Sequence, residues 1–334
     1  MASVSALNQV AVREDLSDEL SVADAKSTPV TSMIRKSKAP TNNLFDWPVA
    51  GIPTPDASAI ADGTPVSATR NNSGARAVLS NYVQWVRDAF AVTKLSQGND
   101  VAGISNEYED SKMRTLEAVK RAIELIFCSD QDADLTGATY KTRGLGAFIK
   151  ATAGSTLAIN SSYLTPAGSI YGGTTAAFSE TAFNAVMQSI YGQTGRAGNW
   201  DCPVGTDLKA RITLMSVYTP DVSSNTFVRR FNSSPNDNNT IDTTVDVVKG
   251  DFGTARVHTT LFAGWAGTSP TAPTAKSKRG YVLDLSDISL RNKQAPGHEE
   301  LPQDGSGRRG MVDAVIGLQL GNPLKHGKIA PSDE

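Results

Sequence analysis

The sequence predicts an α+β fold, and three observations carry that expectation. One long amphipathic helix pattern lies between Ser105 and Cys128, β-formers dominate the C-terminal half, and two N-terminal stretches have a composition that cannot bury a core of their own. The chain has 334 residues, enough for one large domain or two modest ones. Apolar residues make up 39% and charged residues 20%, which excludes both a wholly disordered chain and a membrane-embedded one. No apolar run approaches the roughly 18 residues of a membrane helix, and Met1–Lys26 lacks the basic start and apolar core of a secretory signal.

Taken in order, Met1–Lys26 is small, polar and acidic. Glu14, Asp15, Asp18, Glu19 and Asp24 stand against Arg13 and Lys26, the pattern of an extended arm. Thr28–Ile34 follows, then the basic group Arg35, Lys36 and Lys38, leading into Asn43-Leu44-Phe45-Asp46-Trp47-Pro48. From Phe45 to Val92 the chain reads as extended. Pro48–Thr69 is rich in Pro, Ala, Ser, Asp and Gly, Arg70–Gly74 reads as a turn, and Ala77–Val86 is rich in β-formers. Together these predict a long two-stranded ribbon with little packing of its own, a structure that is marginal in water unless something else covers it.

The long helix has Ser105 as its expected N-cap, and Glu107, Glu109 and Asp110 in the first turn suit the positive end of its dipole. Leu116, Val119, Ile123, Ile126 and Phe127 share one face, while Asp110/Arg114 and Glu117/Arg121 are spaced for i,i+4 pairing. A second helix is expected over Ser179–Tyr191, with Phe183, Val186, Met187 and Ile190 inward and Gly192 and Gly195 as stop signals. Expected strands follow at Ala210–Val217, Thr240–Val248, Ala255–Phe262, Gly280–Leu285 and Val312–Leu320. Loops are expected at Asn225–Asn239 and Gly264–Lys278.

Catalytic patterns are missing from the sequence. Neither Tyr171–Thr175 nor Gly250–Thr254 has the Gly-Lys-Ser/Thr ending of a phosphate loop, and no Gly-x-Ser-x-Gly elbow occurs. His258, His298 and His326 have no metal-like spacing. Cys128 and Cys202 read as ordinary buried thiols. Asp130, Asp132 and Asp134 alternate like a calcium loop. The required Gly and Glu would fall on Leu135 and Lys141, so the segment reads as a solvated linker. No catalytic, metal or cofactor-binding residue is assigned.

Two groups suggest contacts with other molecules. Arg35, Lys36 and Lys38 could touch DNA phosphate or form a solvated, salt-bridged strand edge, and the net charge of −2 favours the second. Tyr82 and Trp85 could stack on bases or anchor a packing interface, and the enrichment of large amphipathic aromatics at interfaces favours the latter.

The order of these features resembles the major head proteins of tailed double-stranded-DNA bacteriophages, with the Hong Kong 97-type capsid fold. The residues that carry the resemblance start with Thr28-Pro29-Val30, Ile34–Ala39 and Phe45-Asp46-Trp47. They continue through Glu107-Tyr108-Glu109, Arg143-Gly144-Leu145, Phe183-Asn184, Tyr191–Gly195 and Asp246–Gly253. The last are Tyr281–Asp284 and His326–Ile329. Pro302–Gly307 departs from the Lys-Thr-Gly-Asp that often stands in the closing segment of that family.

The resemblance implies an N-arm (1–44), an extended hairpin or E-loop (45–88), a peripheral domain (89–135 and 276–334) with its spine helix at 105–128, and an axial domain (136–275). It implies a non-enzymatic virion protein, assembled in the host cytoplasm. Copies would join as pentamers and hexamers into an icosahedral head around double-stranded DNA, contacted without sequence preference, with separate scaffolding, portal and decoration proteins as partners and no membrane. The ribbon would lie over a neighbouring copy, burying Tyr82 and Trp85 with Phe45 and Trp47. The alternatives are the shell of a cellular nanocompartment of the same fold, a decoration or tail-tube protein, and an unrecognised enzyme.

Overall fold

Glu107–Phe127 forms the long helix, 21 residues that span about 31 Å at the usual rise. The computed structural model describes residues 28–51, 55, 57–65, 76–99, 104, 106–154, 156–220, 227–229, 245–263, 265–266, 274–275, 277–303 and 305–333. The expected cap Ser105 lies outside these. Asn106 does the capping, its side chain accepting from the backbone N–H groups of Tyr108 and Glu109. The Asp110–Arg114 pair forms at 2.7 Å on the outer face. Tyr108, Thr115, Val119, Ile123, Ile126 and Phe127 make the buried face.

That face packs on an antiparallel three-stranded sheet in the order Gln294–Leu301, Gly307–Ile316, Gln84–Thr93. Val312, Ala314 and Ile316 of the central strand are fully buried. Beside it, Arg35–Lys36 pairs in parallel with Ile288–Leu290, which pairs antiparallel with Leu318–Leu320.

The ribbon forms as Leu44–Ala50 against Arg76–Tyr82, in a register running from Leu44 opposite Tyr82 to Ala50 opposite Arg76. The single expected strand Ala77–Val86 is broken at Val83, whose N–H donates to Asn43 O at 2.9 Å. After this break the chain leaves the hairpin and enters the three-stranded sheet. The expected turn Arg70–Gly74 lies outside the described residues. The expectation of a poorly self-packed N-terminal quarter is corrected at the hairpin's root. Trp47, Val49 and Leu79 alternate inward and join Val30, Ile34 and the long helix in one apolar core. Period-two alternation on both strands gives the hairpin one buried face, which its own chain covers.

A second core lies in the following half. Its six-stranded mixed sheet has the order Val247–Gly250, Gly253–Thr259, Gly198–Val204, Gly280–Val282, Gly327–Ile329, Ile170–Tyr171. Helices Glu180–Thr194 and Thr206–Val217 contribute Phe183, Val186, Met187, Ile190, Leu208 and Ile212 to it, packed with Trp200, Val204 and Val257. Ser179 caps the first of these helices. Gly195, at φ 62°, ends it in the left-handed region, while Gly192 stays helical.

The expected strand Ala210–Val217 is corrected to the helix Thr206–Val217. Asp207 sits in its first turn, and the buried pair Leu208 and Ile212 has i,i+4 spacing. The expected strands Ala255–Phe262, Gly280–Leu285 and Val312–Leu320 fall close to observed ones. Of Thr240–Val248 only the last two residues lie in a strand, Val247–Gly250, and residues 240–244 lie outside the described residues, as does most of the loops Asn225–Asn239 and Gly264–Lys278. The chain crosses between the cores repeatedly. Leu145–Tyr163 returns to the first, whereas Val282 and Ile329 belong to the second.

The solvated linker expected at Asp130–Asp134 is also corrected. Asp130 binds Arg279 at 2.6 Å and Lys328 at 2.5 Å, Asp132 binds Arg143 at 2.6 Å, and Asp134 binds Lys141 at 3.3 Å. The alternation gives each carboxylate its own cationic partners, four cations in all, and not one shared metal. Gly144 and Gly146 let this segment approach closely, since a Cβ at either would lie within 3 Å of the Ser129 carbonyl oxygen.

Candidate assembly surface

The strand Gln84–Thr93 packs Val86 against the first core and leaves Trp85 on the opposite face, 57% exposed. The indole is nevertheless fixed. Its Nε1 donates to Asp313 Oδ2 at 3.0 Å, and the Arg87 guanidinium lies 4.8 Å from the ring centroid. Gln294 Nε2 donates to the other Asp313 oxygen at 3.0 Å, so all three strands of the sheet hold this one aromatic in place. An aromatic ordered before contact loses little entropy on burial, as interface anchors require.

The other expected interface residues are placed differently. Trp47 is 5% exposed, its Nε1 donates to Gly321 O at 3.1 Å, and its ring meets Phe148. Its assignment to a surface between copies is therefore corrected, because its own chain covers it. Phe45 is half-buried and stacks on Trp47 at 5.7 Å, and Tyr82 is half-buried edge-on to Tyr140 at 5.5 Å. Arg35, Lys36 and Lys38 are all exposed, on and just beyond the short strand Arg35–Lys36.

Two features were invisible in the sequence. Leu44 and Val78 are exposed on the hairpin's outer face, and Leu95 projects from the short helix Lys94–Gln97. Asn81, wholly buried, fixes the hairpin's root: its amide donates to Leu318 O and Thr142 Oγ1 and accepts from the Arg143 N–H. A buried polar residue inside a strand leaves no periodic signal.

The histidines serve separate local bonds. His258 contacts Asp201 at 3.1 Å, His298 meets the Tyr108 hydroxyl at 3.0 Å, and His326 Nδ1 accepts from Asp284 N at 3.2 Å. No group of three metal-ligating side chains occurs among the described residues. Burial pushes the thiols of Cys128 and Cys202 well above their ordinary range, the reverse of what a nucleophile needs. No helix among the described residues is long and apolar enough to cross a membrane.

What remains is a surface for contact and no assembled chemistry among the described residues. The family model of the SU10 major capsid protein matches residues 3–332. The chain belongs to the SU10 major capsid protein family. Solved structures share the fold of this capsid protein. The capsid asymmetric unit of cyanophage A-1(L) superposes with a TM-score of 0.67 at 12% identity, covering 98% of each chain. The capsid of cyanophage P-SCSP1u gives 0.61 at 10% identity over 99% of this chain and 98% of the other. The capsid of a native GTA particle gives 0.59 at 11% over 98% of each. No curated protein matches the sequence. The capsid protein thus has the Hong Kong 97-type fold and is a shell-forming head protein of a bacteriophage virion, working as part of a multi-subunit assembly.

Proposed function

We propose that the shell is built from pentamers and hexamers of this chain and that the fixed, exposed Trp85 is an anchor of the contact between copies. The single observation behind the anchor is an indole 57% exposed yet held by hydrogen bond and guanidinium. Closed symmetry repeats each weak contact many times, so modest interfaces add up to a durable particle. The hairpin (45–88) is the element that lies over a neighbour, with Val78 on its outer face, Leu44 exposed just before it, and Phe45 and Tyr82 at its root. The arm (1–44), a peripheral domain (89–135 and 276–334) and an axial domain (136–275) complete the subunit.

The protein acts without catalysis, assembles in the host cytoplasm with separate scaffolding, portal and decoration proteins, and encloses double-stranded DNA. Negative-stain microscopy of the purified full-length protein tests this, with closed icosahedral shells expected. Trp85→Ala should cut the particle yield several-fold while changing subunit stability by no more than about 1 kcal/mol, the scale of one hydrogen bond. Trp47→Ala should instead lower stability by about 3–5 kcal/mol, as core truncations do. Full particle yield from Trp85→Ala would remove it as an anchor, and rings or tubes of fixed width from the wild type would remove the icosahedral reading.

A further inference from the structure

The three basic residues at the start of the fold do not stand alone. Arg35–Lys36 pairs with Ile288–Leu290, with Arg35 opposite Ser289 and Lys36 opposite Leu290. That pairing brings the chain just after Leu290 beside Ser37 and Lys38, and Ser37 N donates to Leu290 O at 2.9 Å. Arg291 Nη1 donates to the Lys38 carbonyl at 2.8 Å, and Lys293 Nζ donates to Asn43 Oδ1 at 3.0 Å. Five cations from segments about 250 residues apart in sequence, Arg35, Lys36, Lys38, Arg291 and Lys293, therefore form one strip.

Among the described residues no carboxylate forms an ion pair with any of the five. Elsewhere in the molecule cations are matched, as at Arg143–Asp132, Arg308–Glu300 and Lys325–Asp287. The strip also lacks large apolar side chains: Arg35–Asn43 and Arg291–Lys293 contain none.

We infer that this composite strip contacts the phosphate backbone of duplex DNA, and that the subunit face carrying it lines the interior of the shell. The inference rests on the reading that the shell encloses double-stranded DNA, and it adds a site and an orientation to that reading. A surface recognising an acidic protein would need an aromatic or aliphatic anchor among its charges. Contact with phosphate needs positive charge and N–H donors alone, and it carries no sequence preference. Arg291 keeps its position through Gln319 Oε1 at 2.6 Å and the Lys38 carbonyl, and a guanidinium fork retains further N–H donors for a phosphate. A strip so local is compatible with a net charge of −2, because only the nearest charges act within the roughly 10 Å screening length of dilute salt.

The test is binding of a fluorescent duplex DNA of mixed sequence to the full-length protein, held below its assembly concentration, over a series of salt concentrations. The triple variant Lys36→Gln, Lys38→Gln, Lys293→Gln should make the log–log salt slope shallower by about 2–3 and weaken binding at least about tenfold at about 0.1 M salt, because each phosphate contact contributes roughly 0.9 to the slope. The charge-preserving triple variant with Arg at these positions should keep the wild-type slope. An unchanged slope in the Gln variant, or no duplex binding by the wild type, would overturn the inference. So would a Gln variant that loses poly-L-glutamate but keeps DNA, since the strip would then serve an acidic polypeptide. Shells counted by microscopy for the same variants report the capsid reading separately, and normal shells with unchanged DNA binding would reject the strip alone.

Discussion

Glu124 is a residue whose role its neighbours in sequence conceal. It lies on the long helix beside the apolar positions Ile123 and Ile126, wholly buried, and accepts the backbone N–H groups of Val30 at 2.8 Å and Thr31 at 2.7 Å as well as the Thr31 hydroxyl. A carboxylate thereby ties the short helix Pro29–Met33 to the long one. Burial pushes its carboxyl above the usual range, and the Thr31 and Val30 hydrogen bonds pull it back only in part. A raised carboxyl means that ionisation opposes folding. That opposition is absent below the unfolded value of about 4.3 and complete above the raised folded value. Glu124→Ala should cost about 2–3 kcal/mol at neutral pH, because buried N–H groups lose their acceptor. Glu124→Gln keeps one acceptor and cannot ionise, so its stability relative to wild type should rise between about pH 4 and pH 7. Denaturant unfolding at both pH values measures this. A pH-independent difference for Gln, or no loss for Ala, would contradict the assignment. Sequence could not single out Glu124, since a lone acid on a helix reads as surface. The same limit placed Trp47 with Trp85, although Trp47 faces the core from the hairpin and Trp85 faces outward from the three-stranded sheet.

At the scale of elements, legibility followed the number of independent signals. The long helix carried a cap, a first turn of acids, an apolar stripe and an i,i+4 pair, and it lies within two residues of its expected ends. Thr206–Val217 carried conflicting ones. Its Ile212-Thr213-Leu214-Met215-Ser216-Val217 is rich in β-branched residues, whereas the helix signals, Asp207 in the first turn and Leu208 and Ile212 at i,i+4 spacing in the second core, lie mostly before it. The hairpin was visible as β-formers around a turn, but the cover over its root comes from residues more than 200 positions later, such as Leu318 and Leu320. Two glycines of the Glu180–Thr194 helix separate conformational effects from packing, since a Cβ at either would meet nothing within 4 Å. Gly192 is helical, so Gly192→Ala should stabilise by about 0.5–1 kcal/mol. Gly195 sits at φ 62°, so Gly195→Ala should destabilise by about 1 kcal/mol. Thermal unfolding should therefore shift in opposite directions for the two substitutions, and shifts of the same sign would show that this helix end is misassigned.

Across the whole molecule, the two cores meet where the long helix ends. Tyr281 lies in the first core and donates its hydroxyl to Cys128 O at 2.5 Å, while the adjacent Val282 belongs to the second. Asp130 completes the joint: it follows the long helix and binds Arg279, which precedes one strand of the six-stranded sheet, and Lys328, which lies within another. Partners 149 and 198 positions away leave no local trace, which is why the sequence pattern read as a linker. Burial pushes the Asp130 carboxyl up, but Lys328 and Arg279 outweigh it and hold the group below its ordinary range. A depressed carboxyl contributes stability that is present above the unfolded value of about 3.9 and lost as pH falls through the folded value. The side chain is 41% exposed, so water screens the pairs, and Asp130→Asn should cost about 2 kcal/mol at neutral pH, below the range for a fully buried pair. The deficit relative to wild type should shrink as the medium becomes acidic enough to protonate Asp130. Because the bond joins two cores, the variant should also unfold less cooperatively, with intrinsic fluorescence and circular dichroism transitions separating where those of the wild type coincide. Equal deficits at neutral and strongly acid pH, with coincident transitions, would mean that Asp130 does not couple the long helix to the six-stranded sheet.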